Sequence, residues 1–184
     1  MKPILAMILC LQAGSLDPYY KLKEGTTWTY KRLENGVERK VTARVTGEKD
    51  GKVSLEWKEL NADGSVQEEA VVTWSIVEGI LTAEAATKTP DGEEQKLVFG
   101  VLKEGSKKDD RWTTNAGEFT HLGTAEVKVP AGTYAEAVRT QLKLSEDAKI
   151  DFYLVPKVGL VKIEIHEPDG GENRFELSEF KEPK

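Results

Sequence analysis

Apolar and polar residues alternate with a period of two along most of this chain. Val37, Val41, Ala43 and Val45 stand against Glu38, Lys40, Thr42 and Arg44, and Val53, Leu55 and Trp57 against Ser54, Glu56 and Lys58. The pattern returns at Val72, Trp74 and Ile76 and at Leu97, Phe99 and Val101. A strand with one buried and one wet face reads this way. No segment sustains the 3.6-residue period of an amphipathic helix, so helices are expected to be few and short.

Turn signals punctuate the alternation. Asn35-Gly36, Asp50-Gly51, Asp63-Gly64, Glu78-Gly79, Asp91-Gly92 and Glu104-Gly105 recur at intervals of 13 to 15 residues. Residue pairs ending in glycine are what tight hairpins select, and Pro90 adds a preset first dihedral before Asp91-Gly92. Strands of about 9 to 11 residues fit between these turns, longer than the usual 5 to 6. Strands joined by tight turns pair with their neighbours. The expected fold is therefore all-β: an antiparallel up-and-down meander of long strands curling into a barrel or half-barrel. The segments share a rhythm but no motif, which argues against a propeller.

The rhythm fails between about residues 103 and 117. A charged run, Lys107-Lys108-Asp109-Asp110-Arg111, precedes Trp112-Thr113-Thr114-Asn115, and the segment reads as a loop or crossover. Trp112 is expected to anchor it to the core, the alternative being a cap over an opening. Strand patterns resume at Ala125–Val129, Val138–Leu144, Ile150–Leu154, Val161–Ile165 and Phe175–Leu177, for eleven or twelve strands in all.

The chain start changes the compartment. Lys2, the apolar run from Ile4 to Leu11, and the small residues Ala13, Gly14 and Ser15 have the layout of a secretory signal peptide. The run is too short to span a membrane, which takes about 20 residues. The expected division is a signal peptide at 1–15, cleaved after Ala13 or Ser15, and a single β domain at 16–184, secreted or periplasmic. Cys10, the sole cysteine, lies inside this leader, so the mature chain would hold no disulfide and no thiolate. Leu9 before Cys10 argues against a lipid-anchoring signal.

Composition agrees with a folded, water-soluble domain, with 39% hydrophobic and 32% charged residues. The net charge of −6 repels phosphate backbones and anionic headgroups, which argues against a nucleic-acid partner. Nothing marks an integral membrane protein.

Three passages together resemble a broad group of uncharacterised exported bacterial β-rich proteins. They are Tyr19-Tyr20-Lys21-Leu22-Lys23-Glu24-Gly25-Thr26-Thr27-Trp28-Thr29-Tyr30, Val129-Pro130-Ala131-Gly132-Thr133-Tyr134 and Val158-Gly159-Leu160-Val161-Lys162. The resemblance implies export from a bacterium and brings no active site with it.

Catalytic patterns are missing. His121 and His166 have no second ligand type at metal spacing, and His166 alternates with Lys162 and Glu164 in what reads as an exposed cross-strand charge row. No Gly-x-Ser-x-Gly elbow or phosphate-cradling glycine loop is present. Glu93-Glu94 and Asp109-Asp110 are adjacent, and adjacent strand residues face opposite ways, so neither pair flanks one bond. Asp169-Gly170-Gly171-Glu172-Asn173 lacks the acid spacing of a calcium loop and reads as a turn. No catalytic, cofactor or metal residue is therefore assigned, and no cofactor is expected. A histidine beside two acids in a cleft would reverse that.

Aromatic residues remain. Trp28 and Tyr30 share a face, Trp57, Trp74 and Phe99 sit on neighbouring strands among aliphatics, and Ala83 and Ala85 on the Leu81 face either leave room or fit a taper. A packed core is the expected arrangement; the alternative is an apolar ligand cavity with room left by the alanines. The function expected is that of an exported, non-enzymatic binding or carrier protein for an apolar small molecule or lipid. A structural or interaction module contacting an envelope protein is the first alternative, and a hydrolase without a recognisable motif the second.

Overall fold

The computed structural model describes residues 15–88 and 94–184. The leader up to Gly14, the Pro90-Asp91-Gly92 turn and Glu93 lie outside the described residues. One short helix, α1 (Asp17–Tyr20), precedes twelve strands. They are β1 (Thr27–Glu34), β2 (Val37–Lys49), β3 (Lys52–Leu60), β4 (Val66–Val77), β5 (Ile80–Lys88) and β6 (Glu94–Lys103), followed by β7 (Arg111–Thr114), β8 (Gly117–Val129), β9 (Gly132–Lys143), β10 (Lys149–Val155), β11 (Gly159–His166) and β12 (Glu172–Lys181). The all-β meander of long strands stands, with up to thirteen residues in β2 and β8.

Local sequence sets the hairpins. Asn35-Gly36, Asp50-Gly51 and Glu78-Gly79 all have positive φ at both residues, as the tightest hairpin turn requires. Consecutive strands within β1–β6 and within β7–β12 then pair antiparallel. The first and last strands also pair, from Thr27↔Lys181 to Glu34↔Asn173. The single sheet runs β6-β5-β4-β3-β2-β1-β12-β11-β10-β9-β8-β7 and curls into a nearly closed barrel. Its two edges are therefore sequence neighbours, β6 and β7.

The irregular segment is that seam. It is not loop throughout: β7 forms a hairpin with β8, Trp112 opposite Phe119. Glu104-Gly105 ends β6 instead of joining two paired strands, the Glu104 N–H donating to the Gly79 carbonyl at 2.8 Å. Side chains do what a backbone ladder does elsewhere. Trp112 Nε1 donates to the Gly100 carbonyl at 2.6 Å and Thr114 Oγ1 to the Val98 carbonyl at 2.7 Å. Asn115 accepts from the Val98 N–H at 3.0 Å and donates to the Lys96 carbonyl at 3.2 Å. Thr140 on β9 adds a bond to the Val101 carbonyl at 2.7 Å. Residue 100 must be glycine for this approach, because a Cβ there would stand 2.7 Å from Thr114 Cγ2 and 3.0 Å from Trp112 Nε1. Trp112 is buried and stacks on Phe119, so it anchors the segment as expected.

The three passages behind the family resemblance meet at one end of the barrel. Trp28 Nε1 donates to the Val158 carbonyl at 2.7 Å and Tyr30 Oη to the Leu160 carbonyl at 2.8 Å. Lys157 N–H donates to the Pro18 carbonyl, holding α1 over the β10–β11 turn. The Ala131 N–H at the β8–β9 turn reaches the Leu177 carbonyl at 2.9 Å. Leu16 and Tyr20 bury themselves beneath α1 and belong to the continuous apolar core. These residues close an end of the fold.

Candidate functional site

Register decides what the inside of the barrel contains. One row across the strands reads Trp28, Ala43, Trp57, Ala70 on β1 to β4. A second reads Val53, Trp74, Ala83, Phe99 on β3 to β6. Trp28, Trp57 and Trp74 thus each face an alanine on at least one neighbouring strand, which leaves space between the large side chains. Trp28 and Tyr30 pack into the buried core as expected, but Trp57, Trp74 and Phe99 stay only partly buried around a cavity of about 700 Å³, the arrangement named as the alternative. Volumes of roughly 300–1,000 Å³ are typical of sites for one small molecule.

Its walls are apolar. Tyr30, Trp57, Trp74, Phe99, Phe152 and Phe175 supply aromatic surface, and Ala83 and Ala85 line it as the sequence alternative required. Tyr30 stacks on Trp57 with centroids 5.5 Å apart, and Trp57 leans on Phe175 at 6.0 Å. Phe99 meets Phe152 at 6.4 Å across the lumen. Trp57, Trp74, Phe99 and Phe175 are only partly buried, so apolar surface is left facing the void. Burial pushes the Tyr30 phenol far above its ordinary pKa, so it stays neutral.

Charges that the alternation places on the luminal face cluster at one end. Arg32 follows Tyr30 in phase on β1, Arg39 lies opposite it on β2, and Glu59 follows Trp57 on β3. Glu59, almost fully buried, accepts from both Arg32 and Arg39. Glu34 takes a second bond from each arginine, at 2.9 and 2.8 Å. The Arg32 guanidinium also lies over the Phe175 ring, 5.2 Å from its centroid. Two buried polar atoms here have no partner, Arg32 Nε and Asn173 Oδ1.

The outer wall carries a separate cluster. Asp151 is fully buried, and accepts from Arg139 at 2.7 Å and Gln141 at 2.8 Å, with His166 Nε2 3.1 Å away. Burial opposes its charge, but those hydrogen bonds prevail and hold the carboxyl below the usual range. Burial likewise opposes the Glu164 charge, and Lys162 with the Tyr153 hydroxyl lowers its pKa despite it. The Lys162-Glu164-His166 row is thus the rim of a half-buried network on the outer wall, not a freely exposed row.

His166 consequently does stand beside two acids, with ligand atoms of Asp151, Glu164 and His166 all within 4.8 Å. The cleft is missing: none of the three lines the lumen. Arg139, Gln141, Lys162 and Tyr153 already occupy the carboxylates, so a metal would have to displace fixed cations and donors. His121 pairs with Ser106, Nδ1 to Oγ 2.9 Å, but the serine hydroxyl donates to the Lys103 carbonyl at 2.7 Å. No carboxylate orients the other ring nitrogen among the described residues. In the same segment the Asp109 N–H donates to the His121 carbonyl, and the Asp110 carboxylate accepts from the Lys107 N–H. The turn at Asp169 closes with Gly170 N–H on the Glu167 carbonyl, as a turn and not a calcium loop.

No helix among the described residues is long and apolar enough to cross a membrane. No family model matches the chain, and no curated protein matches it. Solved structures do share its fold. A candidate lipoprotein from Parabacteroides distasonis superposes with a TM-score of 0.63 at 14% identity, covering 89% of this chain and 98% of that one. A candidate exported protein with a YmcC-like fold from Bacteroides fragilis gives 0.62 at 12% identity, over 89% and 99%. At such identities the likeness fixes the architecture.

Proposed function

We propose that this protein is an exported, non-enzymatic binding protein that holds one apolar or amphipathic small molecule inside its barrel. The apolar cavity of about 700 Å³ carries the reading. Half-buried aromatics around a cavity of that size offer an apolar occupant dispersion contacts on several sides. Among the described residues that line the cavity, Glu68 and Glu69 are the charged ones and the rest are apolar, aromatic or glycine.

Export fits the same picture. Residues 1–15 act as the signal peptide and leave a mature domain of 16–184, whose Leu16 packs at once into the core. The two fold relatives, an exported protein and a lipoprotein by description, favour the cell envelope as the site of action. Native mass spectrometry of the protein purified from its own host tests the reading. A bound species of lipid mass, released by organic solvent, is expected. A clean apo mass together with no uptake of a fluorescent fatty acid would overturn it.

A further inference from the structure

The mouth of the cavity has a charge of its own. Glu68 lines the cavity and is exposed to solvent, so it stands where the lumen meets water. Register puts it on the luminal face: it pairs with Glu59, two residues along β4 from Ala70, which lies opposite Trp57. Among the described residues Glu68 makes no hydrogen bond or ion pair. Glu69 beside it also lines the cavity, and shares Lys58, at 3.5 Å, with Glu56. Among the described residues no lysine, arginine or histidine lines the cavity.

The nearby cations are already engaged. Arg32 and Arg39 bind Glu34 and Glu59, two positive charges against two negative, and Glu68 comes on top of that balance. A carboxylate head entering here would meet like charge and no unmatched cation, whereas an ammonium head would meet an open carboxylate. Aromatic surface adds to the preference. Trp57 sits diagonally across the β3–β4 pair from Glu68, lines the cavity and is only partly buried. An aromatic face attracts a cation, and Phe175, which touches Trp57, already carries the Arg32 guanidinium over its ring. Resting on the lumen reading above, we infer that the cavity selects an amphiphile with an apolar chain and a positively charged ammonium head, in preference to a fatty-acid anion. The head rests at the mouth between Glu68 and Trp57, still partly hydrated, and the chain lies in the lumen against Phe99 and Phe152.

Competition against a lumen-bound fluorescent probe, N-phenyl-1-naphthylamine, tests this at pH 8, where dodecylamine is protonated and laurate ionised. Dodecylamine, monolaurin and laurate share one chain length and differ in head charge. At low salt dodecylamine is expected to displace the probe at concentrations about tenfold lower than laurate, with monolaurin between them, since attraction of one head and repulsion of the other both count. Glu68→Gln, at an exposed position, should bring that ratio to within about threefold and leave the monolaurin midpoint unmoved. Glu146→Gln, in the β9–β10 turn away from the cavity, should leave the ratio as it is. Laurate competing as well as dodecylamine in the wild-type protein, or a preference that survives Glu68→Gln or falls equally with Glu146→Gln, would overturn the head-group assignment while the lumen reading stood. No probe binding at all would remove both, and the wild-type outcomes do not depend on any variant folding.

Discussion

The barrel closes on itself twice, in different ways. At β1–β12 the chain ends meet through a continuous antiparallel register from Thr27↔Lys181 to Glu34↔Asn173, interrupted by one bulge at Thr29/Tyr30. At β6–β7, strands only seven residues apart in sequence make no ladder, and Trp112, Thr114, Asn115 and Thr140 reach across to β6 carbonyls instead. A ladder shares its strength among many equivalent bonds. A side-chain zipper concentrates it in a few residues, each of which can be removed. Both solutions blunt an edge that would otherwise invite strand addition from another chain, but only the second leaves a wall that single substitutions can loosen.

Trp112→Ala should therefore have the largest effect. It removes a buried indole, its stacking on Phe119 and the bond to Gly100. A loss of about 3–5 kcal/mol is expected in denaturant unfolding, as for other buried tryptophans. Hydrogen exchange should quicken at the Val98 amide more than in β1. Equal acceleration at both junctions would mean the seam is no weaker than the ladder.

Gly100→Ala comes next. Its new Cβ would stand 2.7 Å from Thr114 Cγ2, so the seam must widen. A cost of about 1–3 kcal/mol follows from overpacking. Adding Thr114→Ser removes the colliding methyl and keeps the hydroxyl, so the double variant should recover part of the loss. Strict additivity would show that the two residues do not meet.

The smallest effect concerns the ladder half, where Asp151 ties β9, β10 and β11 together from outside. Its folded pKa is depressed, so its stabilising contribution is complete above its unfolded value of about 4 and is lost as pH falls through the folded value. Unfolding midpoints should decline on acidification below about pH 4, and Asp151→Asn should flatten that acid slope. An unchanged slope would remove Asp151 from the account.

Strands and turns were legible because their signals are local: alternation at Val53–Trp57, glycine pairs at Asn35 and Asp50. Closure was legible only as a barrel or half-barrel, since the pairing of β1 with β12 joins residues some 150 apart in sequence. The cavity was not readable, because alternation says which side chains point inward and not whether their volumes fill the space. Ala83 and Ala85 gave a hint; Ala43 and Ala70 acquire meaning only once register sets them opposite Trp28 and Trp57. The luminal charges were in plain view. Arg32 and Glu34 continue the phase of Trp28 and Tyr30, and Glu59 that of Trp57, but charged strand residues were assigned to water. The Asp151–His166 contact needed the β10–β11 register, which pairs Asp151 with Glu164.

The claim on which the rest depends is that the lumen takes an apolar guest. The direct measurement is a titration of N-phenyl-1-naphthylamine into the wild-type protein and into a variant with the alanine side of the cavity filled, Ala83→Leu with Ala85→Leu. Saturable one-to-one binding is expected in the wild type, weakened at least tenfold in the filled variant and unchanged by Val71→Ser on the exposed outer face of β4. Equal binding by wild-type and filled proteins, or none by either, would contradict it.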